Sequence, residues 1–224
     1  MEIVAIDGPS GVGKSSVSRA LAHRLGYYFF SSGILYRAMA WYLLQQGWEP
    51  AQPPVLDKLD GLALDLDAVG NVLMEGQPLS GDLRTQKVSA ATSILSALPA
   101  VRERSNALQR QIVTRALDAG LFSGVIIEGR DIGTVVFPDA RCKFFLTATP
   151  LMRAERRFKE LATPNLTLEE TLRDLKERDH RDETRALAPL KAAEDALVVD
   201  TTEMPLSEVV ETLSRTIQGP LFDG

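Results

Sequence analysis

Cysteine is almost missing from this chain of 224 residues: the one present, Cys142, excludes a disulfide framework or a cysteine metal centre within one chain. It stands in the apolar run Cys142-Lys143-Phe144-Phe145-Leu146 and reads as a small buried hydrophobe. Histidine is as scarce. His23 and His180 are the only two and lie far apart, which argues against a zinc centre, and His23 is expected at the surface. Positive charge is in deficit: 25 Lys and Arg against 30 Asp and Glu give a net charge of −5. A nucleic-acid binder held by phosphate neutralisation shows the opposite balance, so no nucleic-acid partner is expected. No stretch approaches the roughly 18 charge-free apolar residues of a membrane span. The opening Met1-Glu2-Ile3-Val4-Ala5-Ile6-Asp7 has no basic flank or long apolar core, so it does not read as a signal peptide. A soluble, cytoplasmic protein without membrane partners is expected, and the acidic surface favours a monomer.

What is present is a mixed α/β pattern. Short runs rich in β-branched and aromatic residues, Ile3 to Ile6, Tyr27 to Phe30, Val125 to Ile127, Lys143 to Leu146 and Leu197 to Val199, read as buried parallel strands. Helical patterns separate most of them; Val17, Leu21, Ala22 and Leu25 share one helical face. Such alternation predicts a doubly wound sheet with ligands at the C-terminal ends of its strands. Two stretches interrupt it. From about Gly33 to Gly124 the sequence predicts a helix at Tyr36 to Gln46 and a small antiparallel unit at Leu62 to Leu79. Two further helices follow, near Arg84 to Ala97 and Ala100 to Asp118, with Pro99 starting the second. Leu151 to Leu190, rich in arginine and broken at Thr163-Pro164-Asn165, predicts a two-helix hairpin. The aromatic groups Tyr27 to Phe30 and Trp41/Trp48 are expected in the core.

Gly8-Pro9-Ser10-Gly11-Val12-Gly13-Lys14-Ser15 satisfies G-x-x-x-x-G-K-[ST] between an apolar strand and an amphipathic helix, the context a phosphate-binding loop needs. Its glycines let backbone N–H groups converge, and the helix N-terminus adds positive partial charge. ATP is the expected ligand, with Lys14 reaching its β and γ phosphates, Ser15 holding Mg²⁺ and Ser16 a neighbouring hydroxyl. The loop alone does not choose between kinase, motor and switch. A GTPase would carry Asn-Lys-x-Asp, which is missing, and Asp67-Ala68-Val69-Gly70 matches D-x-x-G outside any core strand.

Transfer between two nucleotides gathers negative charge, and a pair of unit charges 4 Å apart repels by about 4 kcal/mol at an effective dielectric of 20. Arginine answers this with planar, bidentate contacts. Arg153, Arg156 and Arg157 fall at i, i+3, i+4 of one predicted helix, and Arg178, Arg181, Asp182 and Arg185 at i, i+3, i+4, i+7 of another, each set making one face. Glu128-Gly129-Arg130-Asp131 directly follows the strand Val125-Ile126-Ile127, placing Arg130 and Asp131 where the sheet opens a crevice. Arg130 suits an acceptor phosphate and Asp131 a sugar or base.

With these residues the chain resembles the bacterial cytidylate (CMP/dCMP) kinases over nearly its whole length. The matching segments are Ile6 to Ser16, Ser31-Ser32-Gly33-Ile34-Leu35-Tyr36-Arg37-Ala38, Glu128 to Ala140, and Glu177-Arg178-Asp179-His180-Arg181-Asp182 through Ala188-Pro189-Leu190. The resemblance implies a nucleoside-monophosphate kinase fold with a five-stranded parallel core (1–32, 125–150 and 191–224). It adds a monophosphate-binding region with a small β insert (33–124) and an arginine-rich lid (151–190). It implies ATP-dependent phosphorylation of CMP and dCMP, with Mg²⁺ accompanying ATP. By similarity, Ser32, Arg37, Ser93, Arg102, Arg130, Asp131, Arg178, Asp182 and Arg185 match positions that hold the cytidine monophosphate, and Arg153 and Arg157 match lid arginines that approach ATP. Lys14, Arg153, Arg157, Arg178 and Arg185 are thereby the expected catalytic set. Another small-molecule kinase of shikimate or adenylate type, or a nucleotide-dependent switch, stays open as an alternative.

Overall fold

The computed structural model describes residues 2–79, 81–161 and 166–219, so the expected break at Thr163-Pro164-Asn165 lies outside the described residues. The chain divides into two compact units, one of residues 1–29 with 122–224 and one of residues 30–121.

The first unit is built on β1 (Glu2–Asp7), whose Val4, Ala5 and Ile6 are fully buried. Such continuous apolar strands belong inside a parallel sheet covered on both faces. The sheet order is β2 (Tyr28–Ser31), β6 (Gly124–Glu128), β1, β7 (Cys142–Thr147), β8 (Leu197–Asp200). β1 pairs parallel with β6 and with β7, and β7 parallel with β8. The chain therefore leaves β1 toward one edge and later crosses to the other. The C-terminal ends of β1, β6 and β7 flank the point where the order reverses, the place where open α/β sheets bind ligands.

Helix α1 (Lys14–Leu25) begins at Gly13 (φ 94°) and ends at Gly26 (φ 68°), both in the left-handed region that glycine tolerates. It lays Val17, Leu21 and Ala22 into one core with Ile6, Ile126 and Phe144 of the sheet and Val209, Leu213 and Ile217 of α7 (Leu206–Gln218). Cys142 is buried in the same cluster, and burial together with the neighbouring Glu2 carboxylate pushes its thiol up to about 12, so it is an inert core residue. His23 is exposed, as expected. After β6 the chain makes a π-helical turn, Ile132–Val136. The arginine-rich stretch forms α5 (Pro150–Leu161) and α6 (Leu168–Thr184), which pack on each other. Helix α6 starts in a capping box, Thr167 accepting from Glu170 N–H while the Glu170 side chain returns to Thr167.

The second unit holds α2 (Ser32–Gln45), a 3₁₀ turn (Leu56–Leu59), the antiparallel strands β3 (Leu64–Leu66), β4 (Val72–Met74) and β5 (Gln77–Pro78), and helices α3 (Gln86–Leu95) and α4 (Pro99–Asp118). Pro99 is the first residue of α4, where its missing N–H costs nothing. Helix α2 begins four residues before the expected Tyr36, because Ser31 is still extended and the helix forms at once from Ser32. Helix α3 begins two residues after Arg84, since the Thr85 hydroxyl accepts from Val88 N–H and so fixes the start. Trp48 is buried with its indole N–H on Gln52 O, whereas Trp41 is half-buried against Gly81.

Candidate functional site

The loop joining β1 to α1 is shaped by what its glycines lack. A Cβ on Gly8 (φ 146°) would strike the Leu146 carbonyl of β7, and one on Gly11 would lie 2.7 Å from the Arg153 carbonyl of α5. The loop backbone can therefore lie this close to β7 and α5 at these positions only without side chains. Lys14, the first residue of α1, is buried and turns its ammonium to the Gly8 and Pro9 carbonyls at 2.7 and 2.6 Å. Burial, and then the neighbouring guanidinium of Arg130, hold that amine well below its ordinary range, against the pull of Glu128 and Asp7. A phosphate group brought to Lys14 would favour the charged form of the amine against that burial. Ser16 is exposed on the first turn.

Two carboxylates shape the floor. Asp7, buried at the end of β1, accepts from the N–H groups of Ile132 (2.9 Å) and Gly133 (2.8 Å) and so ties the π-helical turn to the loop strand. Its pKa is raised to about 6 by burial, the two N–H groups opposing the shift and Asp131 adding to it. Glu128, at the end of β6, accepts the Ser15 hydroxyl at 2.6 Å through Oε1, while its buried Oε2 has no hydrogen-bond partner among the described residues. A hydroxyl from the first turn of α1 and a carboxylate at the end of β6, with one buried oxygen unsatisfied, fit a hard cation that takes oxygen ligands and keeps several waters, as Mg²⁺ does. The sequence reading singled out Ser15 for the metal and gave Glu128 no role. The signal was there: an acidic residue ending an apolar strand that pairs with the strand of the phosphate loop.

The arginines divide into two groups. Arg130 Nε donates to Asp182 Oδ2 at 3.0 Å, Arg178 approaches the same oxygen at 4.0 Å, and Arg185 Nη2 stands 3.5 Å from Asp131 Oδ1. The structure thus brings together five of the expected acceptor residues, Arg130, Asp131, Arg178, Asp182 and Arg185. Burial pushes the Asp182 carboxyl up, but Arg130, Arg178 and Arg185 outweigh it and hold the group below its ordinary value. Arg185 departs from the helical face expected for it. Helix α6 stops at Thr184, and Arg185 is already extended, with Nε on Ala188 O at 2.6 Å. Left-handed backbone at Ala188 (φ 50°) then turns the chain so that Leu190 N–H reaches Asp182 O. Arg181 points outward and is exposed.

Nor do the arginines of α5 form one set. Arg156 bonds the Thr201 carbonyl at 2.6 Å, its hydroxyl at 3.0 Å and Val12 O at 3.4 Å. Arg157 pairs with Glu160 one turn on. Arg153 is buried in an ion pair with Asp179 of α6 and also bonds Ser10 O and Ala148 O, so its guanidinium lies against the backbone of the phosphate loop.

The remaining expected residues belong to the second unit. Ser32 is buried as the first residue of α2, and Arg37 donates to Leu83 O (2.7 Å) and Ser89 Oγ (3.0 Å). Ser93 lies one turn after Ser89 on α3. Arg102 is buried on α4, donating to Ser96 O at 3.0 Å with its guanidinium 6.0 Å from the centre of the Tyr36 ring.

A family model described as cytidylate kinase matches residues 4–219 of the chain. A cytidylate kinase of Geobacter sp. (strain M21) is 43% identical over 228 aligned positions, covering 99% of this chain and 95% of that protein. The cytidylate kinase of Mycobacterium leprae (strain Br4923) is 41% identical, covering 96% and 95%. Among solved structures, an uncharacterised protein from Eubacterium ventriosum superimposes with a TM-score of 0.51 at 13% identity over 97% of this chain and 98% of that one, a likeness of fold alone.

The raised pKa of Asp7 sets a pH dependence. The folded protein holds this proton better than the unfolded chain, so the group's contribution to stability is full below about 3.8 and declines as pH rises toward about 6. Carboxyl carbon NMR of the protein without nucleotide should give Asp7 a midpoint near 6; an ordinary carboxylate midpoint would contradict the burial argument.

Proposed function

The chain belongs to the cytidylate kinase family, and from that premise we propose that it moves the γ-phosphoryl group of ATP onto the phosphate of CMP and dCMP, giving CDP and dCDP. The observation that carries this reading is the Arg130, Arg178 and Arg185 cluster around Asp182 and Asp131, in the same compact unit as the Gly8–Ser15 loop. Lys14, Arg153, Arg157, Arg178 and Arg185 are assigned to charge spread over the transferring group, where one well-placed arginine is worth about 10³ to 10⁵ in rate. The acceptor oxygen is already anionic, so no strong general base is needed and placement with electrostatics dominates.

Gly8, Pro9, Ser10, Gly11, Val12, Gly13, Lys14, Ser15 and Ser16 are assigned to ATP. Acceptor recognition is assigned to Arg130, Asp131, Arg178, Asp182 and Arg185 of the first unit and to Ser32, Arg37, Ser93 and Arg102 of the second. Residues 33–124 are proposed as the monophosphate-binding region and 151–190 as a lid whose closure excludes water and suppresses ATP hydrolysis. Ser15 and Glu128 are the residues that would hold Mg²⁺. When bound, the ion neutralises charge on the β and γ phosphates. The protein is proposed to act as a monomer, for which sedimentation should report one species near 24.5 kDa.

Release of ADP with Mg-ATP should be stimulated strongly by CMP and dCMP and little by UMP, AMP, GMP or shikimate. Lys14→Met should lower that turnover by about 10² to 10³. Preference for another acceptor overturns the cytosine assignment, and ADP release indifferent to acceptor overturns the kinase reading. Glu128→Gln should raise the Mg²⁺ concentration for half-maximal turnover on the order of tenfold or more while CMP binding stays constant; an unchanged Mg²⁺ requirement removes Glu128 from the metal site.

A further inference from the structure

The tip of the phosphate loop is gripped from both sides by the α5–α6 hairpin. Pro9 has no N–H, so the first loop amide after Gly8 is that of Ser10, and it donates to Asp179 Oδ1 at 3.4 Å. The Ser10 carbonyl accepts from Arg153 Nη1 at 3.2 Å. Asp179 and Arg153 pair with each other, and Arg153 Nε is anchored on Ala148 O at 3.0 Å. Both residues are 6% exposed. One residue on, Gly11 lets the loop backbone press on the Arg153 carbonyl, leaving no room for a Cβ. The peptide groups before and after Ser10 are thus each held by one member of a buried ion pair, and their tilt decides where the following N–H groups point.

We propose that Asp179 is a positioning residue for ATP: acting through Arg153 and Ser10, it sets the orientation of the phosphate loop from the lid hairpin. Arg153 then serves the reaction as a strut on the loop backbone. The proposal rests on the reading of Gly8–Ser15 as the ATP cradle. It separates Asp179 from Asp182, three residues along the same helix, whose partners are Arg130 and Arg178. Asp179 governs the donor and Asp182 the acceptor.

The test is calorimetric titration of ATP alone and of CMP alone into purified Asp179→Asn, Asp182→Asn, Arg153→Met and the double variant Asp179→Leu/Arg153→Met, with thermal melting in parallel. Breaking one side of a buried pair destabilises by leaving a charge uncompensated, whereas replacing both by apolar groups tends to restore stability. Asp179→Asn and Arg153→Met should weaken ATP binding on the order of tenfold, ~1.4 kcal/mol, with CMP binding within about twofold, while Asp182→Asn does the reverse. The double variant should regain the wild-type melting temperature and still bind ATP weakly. Recovery of ATP affinity along with stability in the double variant, or equal loss of both ligands in Asp179→Asn, overturns the proposal. Because ATP is titrated without acceptor, a wrong acceptor assignment shows instead in the wild-type turnover panel.

Discussion

In a chain of net charge −5, the guanidinium groups of Arg130, Arg178, Arg185 and Arg153 in the first unit each stand against a carboxylate, since a buried charge left uncompensated is costly. Asp182 is shared by Arg130 and Arg178, Asp131 faces Arg185, and Asp179 is paired with Arg153. Lys14 is answered at hydrogen-bond distance by the Gly8 and Pro9 carbonyls, with Glu128 and Asp7 acting on it at longer range, so among the described residues no carboxylate meets it as closely as Asp182 meets Arg130. The deficit has a direction. Neighbouring cations that depress the Lys14 amine are relieved by an incoming polyanion, so repulsion stored among the cations becomes affinity for phosphate.

Two of the buried carboxylates are themselves held in place by their partners. The Asp182 carboxyl is held below its ordinary value by three arginines, and Asp7 is occupied by two backbone N–H groups. They orient. Asp182 aligns Arg130, while Asp7 holds the start of the turn that follows Asp131, so the motif after β6 reaches its place through a residue at the end of β1. Phosphoryl transfer asks for this kind of preorganisation more than for proton movement, because the charge to be met is spread over oxygens and the nucleophile is already ionised.

Much of this was legible because the signals are local. A loop that needs left-handed backbone must spend glycines at set spacing, and a strand buried on both faces must be apolar throughout; both rules pointed to Gly8–Ser15 and to β1, β6 and β7. Pro99 as a helix start and the β piece between Leu62 and Leu79 were readable for the same reason. Helical spacing went less far. It placed Arg153, Arg156 and Arg157 on one face, but a guanidinium on a long stem goes where acceptors lie, and those acceptors, Asp179, Thr201 and Glu160, come from three different parts of the chain.

The sequence by itself therefore determined the phosphate loop, the strand and helix pattern and the kinase family, since each depends on residue types at short, regular separations. Only the tertiary structure decided that Glu128 meets Ser15, that Arg185 leaves its helix to face Asp131, and that Asp179 and Arg153 close on Ser10. Those partners are 113, 54, 169 and 143 residues apart. Across such separations no local preference specifies a contact, and the pairing is set by which strands lie side by side and by the cost of leaving a buried charge alone.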